Sequence, residues 1–585
     1  MTKFSDLARL PGDHRAALLT RFRSGVAGSQ VGLRPAPRGG PLPLSSAQAQ
    51  LWFLDRLAPG RSTYNVPAGY RLRGPLDVAA LRAALADVAA RHEVLRTGLY
   101  EHDGAGMQRI HECVDVDLPV LDIDGPGPGE RLAAARRDAE ELARTPFDLA
   151  VAPLWRARLY RLGTDDHFLV LVFHHVVSDG WSIGVFADDL GAFYAARTGR
   201  AAAMPGPLTI QYADYACWQR GWLESSAAEQ LAQYWRDQLA NVSAVDFPAD
   251  RPRSASLTYE GSSLRRRLDP AIVCEVHAAA AAAGVTPYVM YLAAFLILLH
   301  RYTGQDDLTV GSPNANRGHA ETERLIGFFV NMLVLRTSMA GDPSVRALLT
   351  RVHDVVREAM AHGELPFEQV VDAVRPVRDP SRSPLFQIGF GLQNAGAPLE
   401  LPGLRITQEP IDLSTSRFDL SWNLTERPNG LEVQVEFSTN LFNQATMQGL
   451  AGQYEQLLRG VLSDADRPIS RIRLLTAAER AELVHRWDGP TLPVPPVSLA
   501  ELFQRQVRRN PAATAVVVGG AEFSYDAVNR RANQLARLLT AHGVTPGSRV
   551  ALCLPRDLNL IIAMLAVLKA GAAYVPVDAT HPPTR

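Results

Sequence analysis

Phe168-Leu169-Val170-Leu171-Val172-Phe173-His174-His175-Val176-Val177-Ser178-Asp179-Gly180-Trp181-Ser182 begins as an unbroken apolar run and ends in five polar or charged side chains around a glycine. A run without polar alternation predicts a strand, His167 to Phe173, covered on both faces at the centre of a sheet. The strand delivers two histidines at its end, a loop returns Asp179, and a helix is expected to start near Ser182. Gly180 is expected to permit a backbone conformation that side chains would resist. A loop fixed by a central strand holds a catalytic group both rigidly and within reach of a ligand.

Outward from this strand, extended and helical patterns alternate. Leu154 to Leu162 reads as a neighbouring strand, and Arg131 to Arg144 as a helix ending before Pro146. Asp77 can cap a helix whose Leu81, Leu85 and Val88 share one face. Helices alternating with strands imply an α/β fold. The longest apolar run, Tyr288 to Leu299, is too short to span a bilayer, which takes about 20 residues. It reads as a buried helix started by Thr286 as N-cap and Pro287 at the first helical position. Residues 1–30 carry an amphipathic helix pattern (Leu7, Leu10, Ala16, Leu19, Phe22), followed by a Gly/Pro-rich stretch from Gly32 to Pro43. A Pro-rich break, Gly489 to Val497, reads as an interdomain linker.

With 585 residues, 47% of them hydrophobic and 21% charged, the chain has room for several globular domains. Its net charge of −1 supplies no field for nucleic acid or an anionic membrane. Four scattered cysteines form no CxxC, which argues against disulfides and zinc and fits a reducing cytoplasm. No signal peptide pattern opens the chain.

The chemistry expected of His174-His175-x-x-x-Asp179-Gly180 is proton handling. Imidazole has an ordinary pKa of about 6.5, so it is mostly neutral yet able to take a proton near pH 7. A nucleophile attacking a carbonyl must shed a proton, and the tetrahedral intermediate carries an oxyanion. A fixed histidine could accept the proton or orient the nucleophile. Asp179 suits a structural ion pair better than an acid role. The two adjacent histidines point to opposite faces of an extended chain, and no Cys/His cluster supplies further ligands, so no metal is expected.

The chain resembles condensation domains of nonribosomal peptide synthetases, and the likeness extends well beyond HHxxxDG. Ser46-Ala-Gln-Ala-Gln-Leu-Trp-Phe-Leu54, Arg91-His-Glu-Val-Leu-Arg-Thr97 and the His174 segment are similar to the first three family motifs. Tyr212-Ala-Asp-Tyr-Ala-Cys-Trp218 and Ile326-Gly-Phe-Phe-Val-Asn331 are similar to the fourth and fifth, the latter preceded by Gly311-Ser-Pro-Asn-Ala-Asn-Arg317. His362-Gly-Glu-Leu-Pro-Phe-Glu368 and Arg378-Asp-Pro-Ser-Arg-Ser-Pro-Leu-Phe-Gln387 are similar to the sixth and seventh. The resemblance implies two chloramphenicol-acetyltransferase-like lobes in a V-shaped pseudodimer, with a central tunnel and His175 at its middle.

It implies His175 as the catalytic residue, His174 and Asp179 shaping the loop, and Gly180 near the thioester carbonyl. Trp181 and Ser182 are expected to bind substrate, and Arg317 is the candidate partner for Asp179. Trp52, Phe53, Leu95, Trp218 and Phe367 are expected to be packing residues. Implied partners are donor and acceptor peptidyl carrier proteins bearing phosphopantetheine, with no cofactor bound by this chain itself. The AQxxLWFL form of the first motif resembles the branch that takes L-configured donors.

Phe523-Ser-Tyr-Asp-Ala-Val528 and Leu568-Lys-Ala-Gly-Ala-Ala-Tyr-Val-Pro-Val-Asp578 resemble the first two adenylation motifs. Around them a helix, Ala527–His542, and a strand, Arg549–Leu554, are expected. The sequence stops before any Gly/Ser/Thr-rich phosphate loop, so adenylation is not expected of this incomplete α/β segment. The expected division is 1–40 N-terminal helix and linker, 41–215 and 216–475 the two lobes, 476–497 linker, and 498–585 adenylation segment, followed by further adenylation and carrier domains. Two rival readings remain: a coenzyme A-dependent acyltransferase of the same fold, and a non-catalytic module that only recruits carriers. An intact HHxxxDG speaks against the second.

Overall fold

A strand that is apolar at every position needs cover on both faces and a partner on each edge. In the computed structural model, which describes residues 32–578 except 202, 378, 394–398, 428, 490–492 and 495, that need is met. The helix pattern of residues 1–30 lies outside the described residues. The chain forms two compact units, divided after Arg480.

The first unit begins with helix α1 (Ser46–Leu57), capped by Ser45, whose hydroxyl accepts from Gln48 N–H at 3.2 Å. Strands β1 (Asn65–Arg73), β2 (Trp155–Gly163) and β3 (Asp166–His174) follow. β3 is antiparallel to β1 on one edge and to β2 on the other, and it is buried from His167 to His174. Val120–Asp122 completes one side of this five-stranded sheet. The other edge is closed by Arg405–Glu409, which pairs with β1 from far along the chain. A cut at 215/216 is therefore crossed: this strand, together with Leu325, Ile326, Phe328, Phe329, Leu399 and Leu401, packs with the first lobe.

After β3, helix α2 (Gly180–Arg197) starts two residues earlier than expected, because Asp179 rather than a later residue is its N-cap. Helix α3 (Tyr212–Leu223) leads to the second lobe, a six-stranded sheet in the order Asn331–Ser338, Asp307–Asn314, Ile388–Gln393, Leu420–Arg427, Gly430–Ser438, Gly261–Leu268. Its core is dominated by helix α4 (Pro287–Thr303), where every residue from Val289 to Leu299 is buried. Thr286 caps it, and Phe295 lies 5.1 Å from Phe390 and 5.3 Å from Trp422, ring to ring. Among the described residues no single helix is long and apolar enough to cross a membrane. The short helix α5 (Phe367–Val374) follows the sixth motif.

In the second unit a helix, Tyr525–Ala541, is capped by Ser524, so it begins two residues before the expected Ala527. Helix Leu558–Lys569 connects the parallel strands Arg549–Leu552 and Ala573–Pro576 as a βαβ crossover. Its buried apolar residues form two small clusters, around Val528 and Ile562 and around Leu552 and Val567.

Candidate active site

β3 ends at His174, and the chain turns at once through a single 3-10 turn, His175–Val177. Three hydrogen bonds set this turn: His174 N–H donates to Leu154 O (2.9 Å), His175 N–H to Tyr64 O (2.7 Å), and Gln48 Nε2 to Val176 O (3.1 Å). The first motif, on α1, thus holds the third motif directly. His174 is buried edge-on to Phe147, and its Nδ1 accepts from Val176 N–H at 3.2 Å. That ring is a turn-former. His175 is 7% exposed, its ring centroid 4.5 Å from that of Phe328, and its Nδ1 has no hydrogen-bond partner.

Burial holds both imidazoles down to about 3, with a further push on His175 from the Arg417 guanidinium. The residue type alone implies an ordinary pKa near 6.5, and the enclosure overturns that expectation. A ring this hard to protonate is a weak general base; it stays neutral and is suited to orienting a donor hydrogen.

Asp179 is fully engaged. Oδ1 accepts from Ser182 N–H (2.8 Å) and faces Arg317 Nη2 (3.2 Å), while Oδ2 accepts from Phe329 N–H (3.0 Å) and Val330 N–H (3.2 Å). Both side chains of the pair are buried, at 2% and 3% exposure. Arg317 also donates to Thr322 O and to Leu325 O (2.8 Å), and its Cζ lies 4.1 Å from the Phe329 ring centroid. The third and fifth motifs are one buried polar cluster.

Ser182, expected to bind substrate, is corrected by its surroundings. It is fully buried, its hydroxyl donating to Gly327 O (2.8 Å) and accepting from Gly327 N–H (3.0 Å) and Arg317 Nη2 (2.8 Å). No capacity is left for a ligand, so Ser182 is a latch. Trp181 is 40% exposed, but its indole N–H is taken by Glu323 O at 3.0 Å, leaving only its ring surface for contact. The conformational argument for Gly180 also fails, since it is the first helical residue and not one of the glycines at positive φ. It is exposed, with open space around it. A Cβ at Gly180 would meet nothing within 4 Å. We expect Gly180→Val to leave melting nearly unchanged while lowering turnover at least about tenfold, if reacting groups pass through that space. Equal turnover in a loaded-carrier assay would show the space to be idle.

Of the expected packing residues, Leu95 is fully buried and Trp52, Trp218 and Phe367 are partly buried against the cores. Phe53 is not: it is 61% exposed, because α1 turns Gln48 and Leu51 inward and Phe53 outward. It rims a cavity of about 490 Å³ between α1, α3 and α5, with Gln50, Gln219, Leu223 and Glu368 on its walls. Glu368 is only half-buried, yet desolvation raises its carboxyl, as it does Glu436. Tyr64 behaves alike, pushed up to about 12 while keeping surface. Tyr64, Arg417 and Glu436 escaped the sequence reading, because they come from three distant segments without a shared pattern.

The family model described as "Condensation domain" matches residues 40–484, and the model described as "AMP-binding enzyme" matches residues 503–585. A linear gramicidin synthase from Brevibacillus parabrevis is 42% identical over 563 residues, covering 95% of this chain and 11% of that protein. Chondramide synthase cmdD of Chondromyces crocatus is 41% identical, covering 94% and 14%. The chain thus spans only a small part of the curated relatives it matches. Among solved structures, the X-domain from teicoplanin biosynthesis superposes with a TM-score of 0.69 at 32% identity, covering 76% of this chain and all of that one. A four-domain nonribosomal peptide synthetase bound to AMP and glycine gives 0.70 at 24% identity, covering 95% and 43%, which speaks to fold alone. From the ordered motifs, the two-lobed fold and a family match over most of its length, the chain belongs to the condensation-domain family of nonribosomal peptide synthetases, with an AMP-binding segment behind it.

Proposed function

We propose that this chain forms an amide between a donor acyl thioester and an acceptor aminoacyl thioester, each carried on the phosphopantetheine of a carrier protein. The observation that carries the reading is the buried imidazole of His175, presented at the end of the central strand on a turn fixed by the hydrogen bond from its backbone N–H to Tyr64 O. In this reading the amine nitrogen bonds to the thioester carbonyl carbon, its proton directed by His175, and the carbon–sulfur bond breaks to release the thiol. His174, Asp179 and Arg317 hold the turn that presents the ring. One tethered arm enters by the cavity that Phe53 rims; Glu368 on its wall acts electrostatically on Tyr64, next to the turn. The lobes are taken as 41–215 and 216–475, apart from the later segments that pack on the first lobe, and the donor as L-configured.

The test supplies one carrier loaded with an acyl or peptidyl group and another loaded with each proteinogenic aminoacyl group in turn. Intact-mass measurement should show condensed product on the acceptor carrier. Product formed equally well from a coenzyme A thioester would favour the acyltransferase reading, and no product from any pair would leave only a recruiting module.

The depressed histidines have a second consequence. In the unfolded chain they titrate near 6.5, so below that pH the unfolded state binds protons that the folded state refuses. The stability linked to them is fully present above about pH 6.5 and is lost as pH falls toward 3. We expect melting temperature to decline steadily from pH 6 to pH 4, with a shallower decline in His175→Gln. The condensation rate should show no inflection at 6.5 belonging to His175; an acid limb there, absent in the variant, would contradict the enclosure.

A further inference from the structure

We propose that Arg417 is a further catalytic residue of this site, its guanidinium facing the oxygen that becomes negative when the tethered amine attacks the tethered thioester. The inference rests on the condensation reading above and adds a residue to it.

Three observations converge on Arg417. Its backbone is clamped. Ser416 N–H donates to Tyr259 O (2.9 Å), Gly261 N–H donates to Ser414 O (3.0 Å), and two residues on, Asp419 pairs with Arg253. The segment passes so close to the start of the strand Gly261–Leu268 that a Cβ on Gly261 would lie 2.5 Å from Ser416 N. Only glycine fits there. The stretch from Ser414 to Asp419 is thereby held against the second lobe's sheet, a rigid base for whatever side chain it carries.

The side chain, by contrast, is left free. Arg417 is half-buried, and no carboxylate forms an ion pair with its guanidinium among the described residues. Its Cζ lies 5.7 Å from the ring centroid of Tyr64, the residue whose carbonyl accepts from His175 N–H. The carboxylate nearest in electrostatic effect, Glu436, is turned to the Arg417 backbone N–H and the Ser416 hydroxyl. Desolvation raises the Glu436 carboxyl, and the charge of Arg417 draws it back down. Arg61, over the Tyr259 ring at 5.2 Å, adds positive charge from the same side. A half-buried guanidinium with no ion pair among the described residues can still meet a negative charge that develops beside it. It lies over the ring of Tyr64, the residue whose carbonyl fixes the His175 turn, and its charge disfavours protonation of that imidazole.

The chemistry supplies the missing partner. When the amine nitrogen bonds to the carbonyl carbon, the carbonyl pair moves onto oxygen, opposite Arg417. As the pair returns, the carbon–sulfur bond breaks, and the departing thiolate takes up the proton that nitrogen releases. A fixed cation that meets this charge only in the transition state accelerates the step without tightening ground-state binding. The nearby positive charge also favours the neutral form of the attacking amine and of His175, which the reaction needs.

The experiment uses the full chain and the donor–acceptor carrier pair that the parent condenses fastest. Single-turnover rates at saturating carrier are measured for the parent, Arg417→Ala and Arg417→Lys, together with the concentration dependence on each carrier and the melting temperature. We expect Arg417→Ala to lose about 100- to 1,000-fold in rate, with half-saturation for both carriers within about threefold of the parent. Arg417→Lys should recover at least about tenfold of that loss, and millimolar guanidinium should partly restore Arg417→Ala. The proposal is overturned if Arg417→Ala condenses at close to the parent rate, if its defect lies only in carrier half-saturation, or if Arg417→Lys is as slow as Arg417→Ala without guanidinium rescue. A rate loss matched by a collapsed melting temperature in both variants would overturn it in favour of a structural role. Should the parent condense no pair at all, the condensation reading itself fails first, an outcome distinct from a failure of Arg417 alone.

Discussion

His175→Ala should cut the single-turnover condensation rate at least about 100-fold while leaving the protein folded. The two halves of this expectation have separate causes. The rate falls because, in the proposed reaction, this ring directs the proton of the attacking amine. Stability survives because the ring carries no ion pair among the described residues, and Asp179, Arg317 and Ser182 hold the loop independently of it. The backbone hydrogen bond from His175 N–H to Tyr64 O is untouched by a change of side chain. Circular dichroism and melting establish the fold, and intact-mass kinetics on loaded carriers establish the rate. A folded variant that condensed at the parent rate would remove His175 from the reaction.

Asp179→Ala should do the reverse, acting first on stability. The carboxylate accepts three backbone hydrogen bonds and faces Arg317, all inside a buried cluster. Its removal leaves three N–H groups without an acceptor and the Arg317 guanidinium without its counter-charge, a loss of about 3–5 kcal/mol for the broken pair. The melting temperature should drop by at least about 5 °C. Turnover falls as well, because the helix cap and the 326–331 segment are released together. The double variant Asp179→Ala/Arg317→Met should lose less than the sum of the two single variants, since it no longer strands a buried cation. A normal melting curve for Asp179→Ala would mean that the cluster is held by packing alone.

Parts of this site are legible in the chain itself. The apolar run into His174 implies a central strand, and HHxxxDG implies a turn that presents an imidazole. The motif around Arg317 points to it as a partner for Asp179, 138 residues away; the 3.2 Å approach is a property of the fold. Other expectations fail for identifiable reasons. Ser182 carries a hydroxyl in a ligand-binding context, and nothing local reveals that Gly327 and Arg317 occupy it. Phe53 is apolar within an apolar motif, but which side of α1 faces the core depends on where α3 and α5 come to lie. Gly180 suggests unusual backbone angles, whereas the fold makes it an ordinary first helical residue once Asp179 becomes the cap.

By itself, the sequence determined the elements whose causes are short-range. The buried strand follows from its uninterrupted apolar side chains, α4 from its cap and proline at Thr286-Pro287, and the identity of the turn from its own residues. Only the tertiary structure decided what surrounds them: the closing of the first sheet by Arg405–Glu409, the exhausted hydroxyl of Ser182, the neutral state of His175, and the arrival of Tyr64 and Arg417 beside it. Caps and periodicities act over one or two turns of chain. Enclosure and electrostatic environment are set by whichever distant segments fold back against a group, and no local pattern carries that information.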